Sequence, residues 1–300
     1  MAIKFYKILI LCLLLIFLFG CGEGMVEIDK STYEPKIVIN AFIYPGKKFD
    51  RFKITRNFPM NTVIDYDDIP LKDAYVTVMA YNGLTDTLFF RTDSGYYASR
   101  DQKIIVEGGK EYTLNVRAEI EGQKLSAKSK TKVPELGFSI NDEESCAGDI
   151  PYRKYFVNGL LKNPCINYSR SEGAEFYALS GNALDASTSN FIENNVFGLD
   201  KEILEENFDH FKYFDFWSAP DNSAEGASVI EIPWWLIYFY GEYRVIMYAG
   251  DLNYYHFFGT YRYVQDVDGN LREPLFYIDG DGIGVFGSAI TDTIYFNITE

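Results

Sequence analysis

The chain is 300 residues long and acidic, with 43 Asp and Glu against 28 Lys and Arg and a formal net charge of −15. A surface of that sign repels nucleic acid and anionic headgroups, which argues against nucleic-acid binding and against polybasic attachment to a membrane. The length allows two modest domains with real cores, and an aromatic content of 17%, with 24 Tyr and 24 Phe, suits β-rich structure and surfaces that grip a sugar or a partner protein.

Lys4 and Lys7 make a basic start, and Ile8 to Phe19 is an unbroken apolar run. The run has signal-peptide length and falls short of the ~20 residues of a membrane span. Leu18-Phe19-Gly20-Cys21 then resembles a lipobox, the processing site of bacterial lipoproteins. The resemblance implies a signal peptide over residues 1–20, cleavage before Cys21, diacylglycerol on its sulfur and a lipidated tether over 21–34. The plainer alternatives are an ordinary signal peptide or an N-terminal anchor helix. Each buried CH₂ of an acyl chain contributes about 0.8 kcal/mol, so several chains on Cys21 would hold the protein stably to a bilayer.

Residues 35–134 predict a β-sandwich of immunoglobulin-like or transthyretin-like type. Lys36 to Ile43 is apolar and β-branched, and Phe49 to Asn57 alternates in part. Ala74 to Tyr81 ends at Asn82-Gly83, a strong hairpin signal. Thr85 to Arg91 and Tyr96 to Ser99 flank another turn. Tyr112, Leu114, Val116 and Ala118 alternate with polar residues, and so do Leu125, Ala127, Ser129, Thr131 and Val133 with lysines. Pro134 closes the domain.

Residues 135–300 predict a second, β-rich domain of α+β character with one or two helices. Cys12 falls in the signal and Cys21 takes the lipid, which leaves Cys146 and Cys165. In an oxidising compartment these can pair, closing a loop of about 20 residues and contributing about 3 kcal/mol. Two free thiols, or metal ligation without a nearby histidine, are the alternatives. Glu175 to Gly181 reads as a strand. Asp200 to Phe214 reads as a helix capped by Asp200, with Ile203, Leu204, Asn207, Phe208 and Phe211 on one face. Val229 to Tyr240 is apolar with Pro233-Trp234-Trp235 inside, which demotes it to an edge strand or a bulge. Tyr243 to Tyr248 is a strand, and Asp251 to Tyr263 a helix capped by Asp251.

Few residues have the spacing of known chemistry. His210 and His256 stand among aromatics without a partner motif, and no hydrolase, zinc-protease or P-loop signature occurs. A hydrolase would have to use an acidic pair. Asp266-Val267-Asp268-Gly269-Asn270 fails as an EF-hand, since its glycine is misplaced and Tyr277 stands where the closing Glu belongs. We expect neither metal nor cofactor. Gly282, Gly284 and Gly287 spell a G-x-G-x-x-G after a strand expected at Leu275 to Ile278, but Ser288 to Phe296 reads as a strand where a dinucleotide site needs a helix. Trp217, Trp234, Trp235, Tyr254 and Tyr255 are the candidates for a binding surface; adjacent tryptophans in a strand face opposite ways, so one of Trp234 and Trp235 must leave the core.

The lipobox is followed by Val26-Glu27-Ile28-Asp29, then Glu34-Pro35-Lys36-Ile37-Val38-Ile39-Asn40, then Gly108-Gly109-Lys110-Glu111-Tyr112-Thr113-Leu114 and Val133-Pro134. Glu273-Pro274 and Gly282-Ile283-Gly284-Val285-Phe286-Gly287 close the series. In this order and spacing the motifs resemble the Gram-negative lipoprotein family known as domain of unknown function 4249. The resemblance implies that the glycine motif is the family's closing turn, with Phe286 plugging a core. It carries no established activity. It implies an outer-membrane location and, from the usual genetic neighbours, an accessory or ligand-capture role beside a TonB-dependent receptor barrel. A stand-alone glycan- or peptide-binding lipoprotein is the alternative, and a hydrolase using an acidic pair a more distant one.

Overall fold

The computed structural model describes residues 33–59, 62–100, 103–154, 156–217, 227–261 and 275–300, with backbone alone at 156, 157, 216, 217, 227 and 261. The signal peptide, Cys21, the 266–270 acidic segment and Glu273-Pro274 lie outside the described residues. The chain forms two units, of which the larger is Pro35–Asn57 with Val63–Glu300. The smaller, Met1–Glu34 with Phe58–Thr62, falls almost wholly outside the described residues.

The protein is mainly β. Strand β1 (Ile37–Ile43) buries Ile37, Ile39, Ala41 and Ile43 at alternate positions, as its β-branched run predicts. It is followed by β2 (Lys53–Arg56), β3 (Tyr75–Ala80), β4 (Thr85–Arg91), β5 (Tyr96–Ser99), β6 (Glu111–Ile120) and β7 (Gln123–Lys132). Asn82-Gly83 makes the β3–β4 turn, where the Gly83 N–H donates to the Ala80 carbonyl at 2.9 Å. Along β7, Leu125, Ala127, Ser129 and Thr131 point inward and the lysines outward, the alternation read from the sequence.

The second half contains β8 (Ser139–Ile140), β9 (Gly148–Pro151), β10 (Phe156–Val157), β11 (Leu160–Leu161), β12 (Cys165–Ser169) and β13 (Phe176–Ala183). Helices α1 (Lys201–Glu206) and α2 (Phe208–Lys212) lead into β14 (Tyr213–Trp217). Then come β15 (Ala227–Glu231), β16 (Gly241–Gly250), α3 (Leu252–Tyr261), β17 (Ile278–Gly280) and β18 (Gly282–Thr299).

One sheet runs β14-β13-β16-β18-β1-β2, with β9 also on β18; a second runs β17-β7-β6-β3-β4-β5; a third is β15-β12-β8. Two buried clusters result. One joins β1 and β2 to the face of the second sheet, with Phe286 inserted among them. The other gathers residues from Phe138 to Ile298. The clusters part near position 134, but strands pair across that point. β1 lies parallel to β18, Ile37 opposite Gly282 through Ile43 opposite Ser288, and β17 pairs with β7.

Four local readings change. The expected Asp200–Phe214 helix breaks at Asn207, whose φ of −127° leaves the helical region, and Tyr213 onward is strand. The expected Val229–Tyr240 strand stops at Glu231, because Pro233 offers no N–H and opens a 3₁₀ turn at Trp234–Leu236. The strand expected at Leu275–Ile278 is observed at Ile278–Gly280. The glycine motif forms no closing turn: Gly282, Gly284, Phe286 and Gly287 all lie within β18, and the sharp bend is at Gly280, φ +87°. Phe286 is fully buried, its ring 5.9 Å from that of Phe52. Gly284 takes φ +107°, and a Cβ there would stand 2.0 Å from the Ile39 carbonyl oxygen of β1.

Candidate functional site

Asp200 caps α1 by accepting from the Ile203 N–H at 3.1 Å, and Leu204 anchors the helix in the core. After the break at Asn207, α2 sets Phe208 edge-on to Phe239 and tilts Phe211 against Tyr238, with ring centroids 5.5 and 4.6 Å apart. The chain then extends into β14. Phe214 turns inward over Gly181, where a side chain would collide with its ring, while Tyr213 and Asp215 face out.

Opposite stands the 3₁₀ turn after Pro233. Trp234 is buried, its indole N–H donating to the Lys162 carbonyl at 2.9 Å and its ring set edge-on to Tyr152 at 5.2 Å. Trp235 remains 44% exposed. One tryptophan in and one out is thus produced by a tight turn rather than by the alternation of a strand.

Between these walls lies an open cleft of about 440 Å³, lined by Asp209, His210, Tyr213, Asp215, Trp235 and Tyr238 among others. Two carboxylates and several rings converge there. The Lys212 ammonium lies 5.6 Å from the Tyr213 ring centroid, and the His210 ring stands 5.5 Å from that of Phe211. Burial raises the Tyr238 phenol above its ordinary pKa, so it stays a neutral donor. Such a lining can stack on flat or apolar faces and accept hydrogen bonds or positive charge at its acids.

The five aromatic residues singled out from the sequence separate. Trp235 lines the cleft and Trp234 braces it from below. Trp217 ends β14, with its side chain outside the described atoms. Tyr254 and Tyr255 are not at the cleft. On α3, Tyr254 packs 4.5 Å from Phe42 and 5.1 Å from Phe176, and burial pushes its phenol strongly upward. Tyr255 lies 5.8 Å from Phe176. These two tyrosines serve internal packing between α3, β1 and β13.

Sequence reasoning missed Asp209, Tyr213, Asp215 and Tyr238 as a group, because a helix–strand switch that no periodicity announces brings them together. His210 was visible only as a histidine among rings. His256 is elsewhere, its ring 5.2 Å from that of Tyr277. Cys146 and Cys165 are adjacent, as thiols with sulfur atoms 3.3 Å apart. Among the described residues, no group of three His, Cys, Asp or Glu side chains is placed to hold a metal, and no helix is long and apolar enough to cross a membrane.

No curated protein matches the chain. Among solved structures it overlaps the tetra-tandem repeat in the extending region of a large adhesion protein, at 9% identity and TM-score 0.24, over 88% of this chain and 49% of that one. It also overlaps a bacterial ice-binding adhesin, at 11% identity and TM-score 0.21, over 88% of this chain and 64% of that one. Chicken CNTN1 domains FN1–FN3 overlap at 12% identity and TM-score 0.21, over 72% of this chain and 62% of that one. The chain therefore spans about half the length of the first and under two thirds of the others. Residues 24–293 match the model of the family described as "Domain of unknown function (DUF4249)". That match covers most of the chain, which belongs to this family.

Proposed function

We propose that the protein is a non-enzymatic, lipid-anchored lipoprotein of the outer membrane that captures a ligand in the cleft beside Trp235 and works as an accessory subunit of a TonB-dependent receptor barrel. The observation that carries the capture role is the cleft itself: about 440 Å³, open, and combining an exposed tryptophan with Tyr213, Tyr238 and two carboxylates. Pockets of this make-up orient a ligand through a few polar groups and hold it by ring contact. The lipobox-like Leu18-Phe19-Gly20-Cys21 supports the anchor, and the family resemblance supports the barrel partner.

The same cleft favours a second reading, stand-alone capture of a glycan or peptide, since nothing in its lining requires a partner chain. One experiment separates the two. Native envelope is solubilised gently, the lipoprotein is captured, and the companions are identified. In parallel, the purified protein and its Trp235→Ala variant are titrated with a panel of glycans and peptides. A stoichiometric barrel in the captured material supports the accessory role. Recovery of the lipoprotein alone, from an extract whose barrels are intact, sinks it. Binding by the isolated protein that is weakened tenfold or more by Trp235→Ala supports stand-alone capture in the cleft. Release of shorter glycans during the titration would overturn the non-enzymatic reading in favour of an Asp209–Asp215 hydrolase.

A further inference from the structure

Cys146 and Cys165 lie outside the cleft, and the capture role does not use them. The backbone holds their sulfur atoms at 3.3 Å. The Cys146 N–H donates to the Cys165 carbonyl at 2.8 Å, and the Asn141 N–H to the Asn167 carbonyl at 2.8 Å. Ser145 Oγ accepts from the Asn167 N–H at 2.9 Å and donates to the Asn141 carbonyl at 2.6 Å. Residues 141–146 are thus tied along β12 with both thiols on one side. A disulfide bond is about 2.05 Å long, so a small rotation of the two side chains closes the gap.

The three residues before Cys165 brace the tryptophan turn. The Ile232 N–H donates to the Pro164 carbonyl at 2.7 Å. The Asn163 amide donates to Glu231 at 2.9 Å, and the Lys162 carbonyl accepts the Trp234 indole N–H at 2.9 Å. On the other side, Cys146 stands two residues before β9, which pairs with the end of β18. A covalent link at this point would fasten the brace of the turn to the large sheet.

We propose that Cys146 and Cys165 form a disulfide that clamps the Trp234–Trp235 turn, so that the wall of the cleft depends on redox state. The bond forms by exchange with a disulfide-bearing donor. The two thiols lose two protons and two electrons, one S–S bond forms here, one S–S bond breaks in the donor, and the donor leaves as a dithiol. Burial, then the neighbouring Cys146 thiol, push the Cys165 thiol above its ordinary value, and exchange begins at whichever thiol of the pair has lost its proton when the donor approaches. Closure is a property of the fold alone; its effect on ligand capture rests on the cleft reading above.

The test uses the purified protein in oxidised glutathione. Intact mass is expected to fall by two hydrogens, with an unreduced peptide joining Cys146 to Cys165. Trypsin is expected to cut at the exposed Lys162 several-fold more slowly than in the Cys146→Ser, Cys165→Ser double variant, whose circular dichroism shows whether it remains folded. Glutathionyl adducts on both cysteines, or two thiols that persist unchanged, would overturn the pairing. The clamp is read in a Trp217→Phe, Trp235→Phe variant, which keeps Trp234 as its only tryptophan. Reduction is expected to shift its emission to the red, and an unmoved spectrum overturns the clamp. Neither readout involves a ligand, so failure of the capture role leaves both results standing.

Discussion

At the scale of single residues, Asp251 is buried and held by three donors. Its carboxylate accepts from the Tyr254 N–H and the Ser288 N–H, each at 3.0 Å, and meets the Thr131 hydroxyl. The cap of α3 was legible from Asp251 standing before the Leu252 run. The junction with Thr131 on β7 and Ser288 on β18 was not, because those partners lie far away in sequence. Burial dominates and raises the carboxyl from 3.8 to about 6, despite the hydrogen bonds that lower it. The neutral acid suits its neighbours. It can donate to Thr131 Oγ1, which then donates to Ser288 Oγ at 3.0 Å, which donates to the Lys132 carbonyl at 3.2 Å. When the carboxylate is charged, it accepts a hydrogen bond from the Thr131 hydroxyl, which then no longer donates to Ser288. The folded chain therefore holds this proton more tightly than the unfolded chain. The stability Asp251 contributes is fully present below about pH 4 and is lost as pH rises through about 6, by about 3 kcal/mol in all. Asp251→Asn keeps an acceptor for the two N–H groups and removes the charge. Urea unfolding at pH 4 and pH 7 is expected to show this variant gaining on wild type by up to ~3 kcal/mol at the higher pH. Asp251→Ala leaves the donors unpaired and is expected to cost about 2–4 kcal/mol at pH 4, a deficit that shrinks by up to the same ~3 kcal/mol at pH 7 because the variant has no carboxyl to titrate.

At the scale of elements, the sequence announced those whose chemistry is local. β6 and β7 carry clean period-two patterns, β1 is an apolar β-branched run, and Asn82-Gly83 fixes a hairpin by its own backbone preference. The second half was harder to read because its elements are short and switch type. The Asp200 helix loses its register at Asn207, and Pro233 replaces an expected strand by a 3₁₀ turn. The cleft is built at those two switches, which is why its residues did not stand out together. Asp200→Ala is expected to cost about 1 kcal/mol, and amide exchange should show faster opening over residues 201–212 than elsewhere. The glycines of β18 differ in kind. Gly284→Ala meets a backbone oxygen at 2.0 Å and a positive φ, and is expected to cost several kcal/mol, about 3 or more. Gly287→Ala meets Phe42 and Asp251 at 3.2–3.3 Å in ordinary extended backbone and should cost less. Thermal melts of the two variants check the order, and equal losses would refute the role assigned to Gly284.

At the scale of the whole larger unit, β18 belongs to both cores: Phe286 fills one, while Ile294, Phe296 and Ile298 fill the other. Chemical unfolding followed by tryptophan fluorescence, which reports only the second half, is expected to coincide with unfolding followed by far-ultraviolet circular dichroism. Two separate transitions would show that β18 does not couple the cores. The same strand also sets the timing of folding during synthesis. β1 is made long before its parallel neighbour β18, so that side of β1 stays open until β18 has emerged. The core that Phe286 fills therefore stays incomplete during synthesis until β18 has left the ribosome, and up to that point the nascent chain remains threadable through a narrow channel.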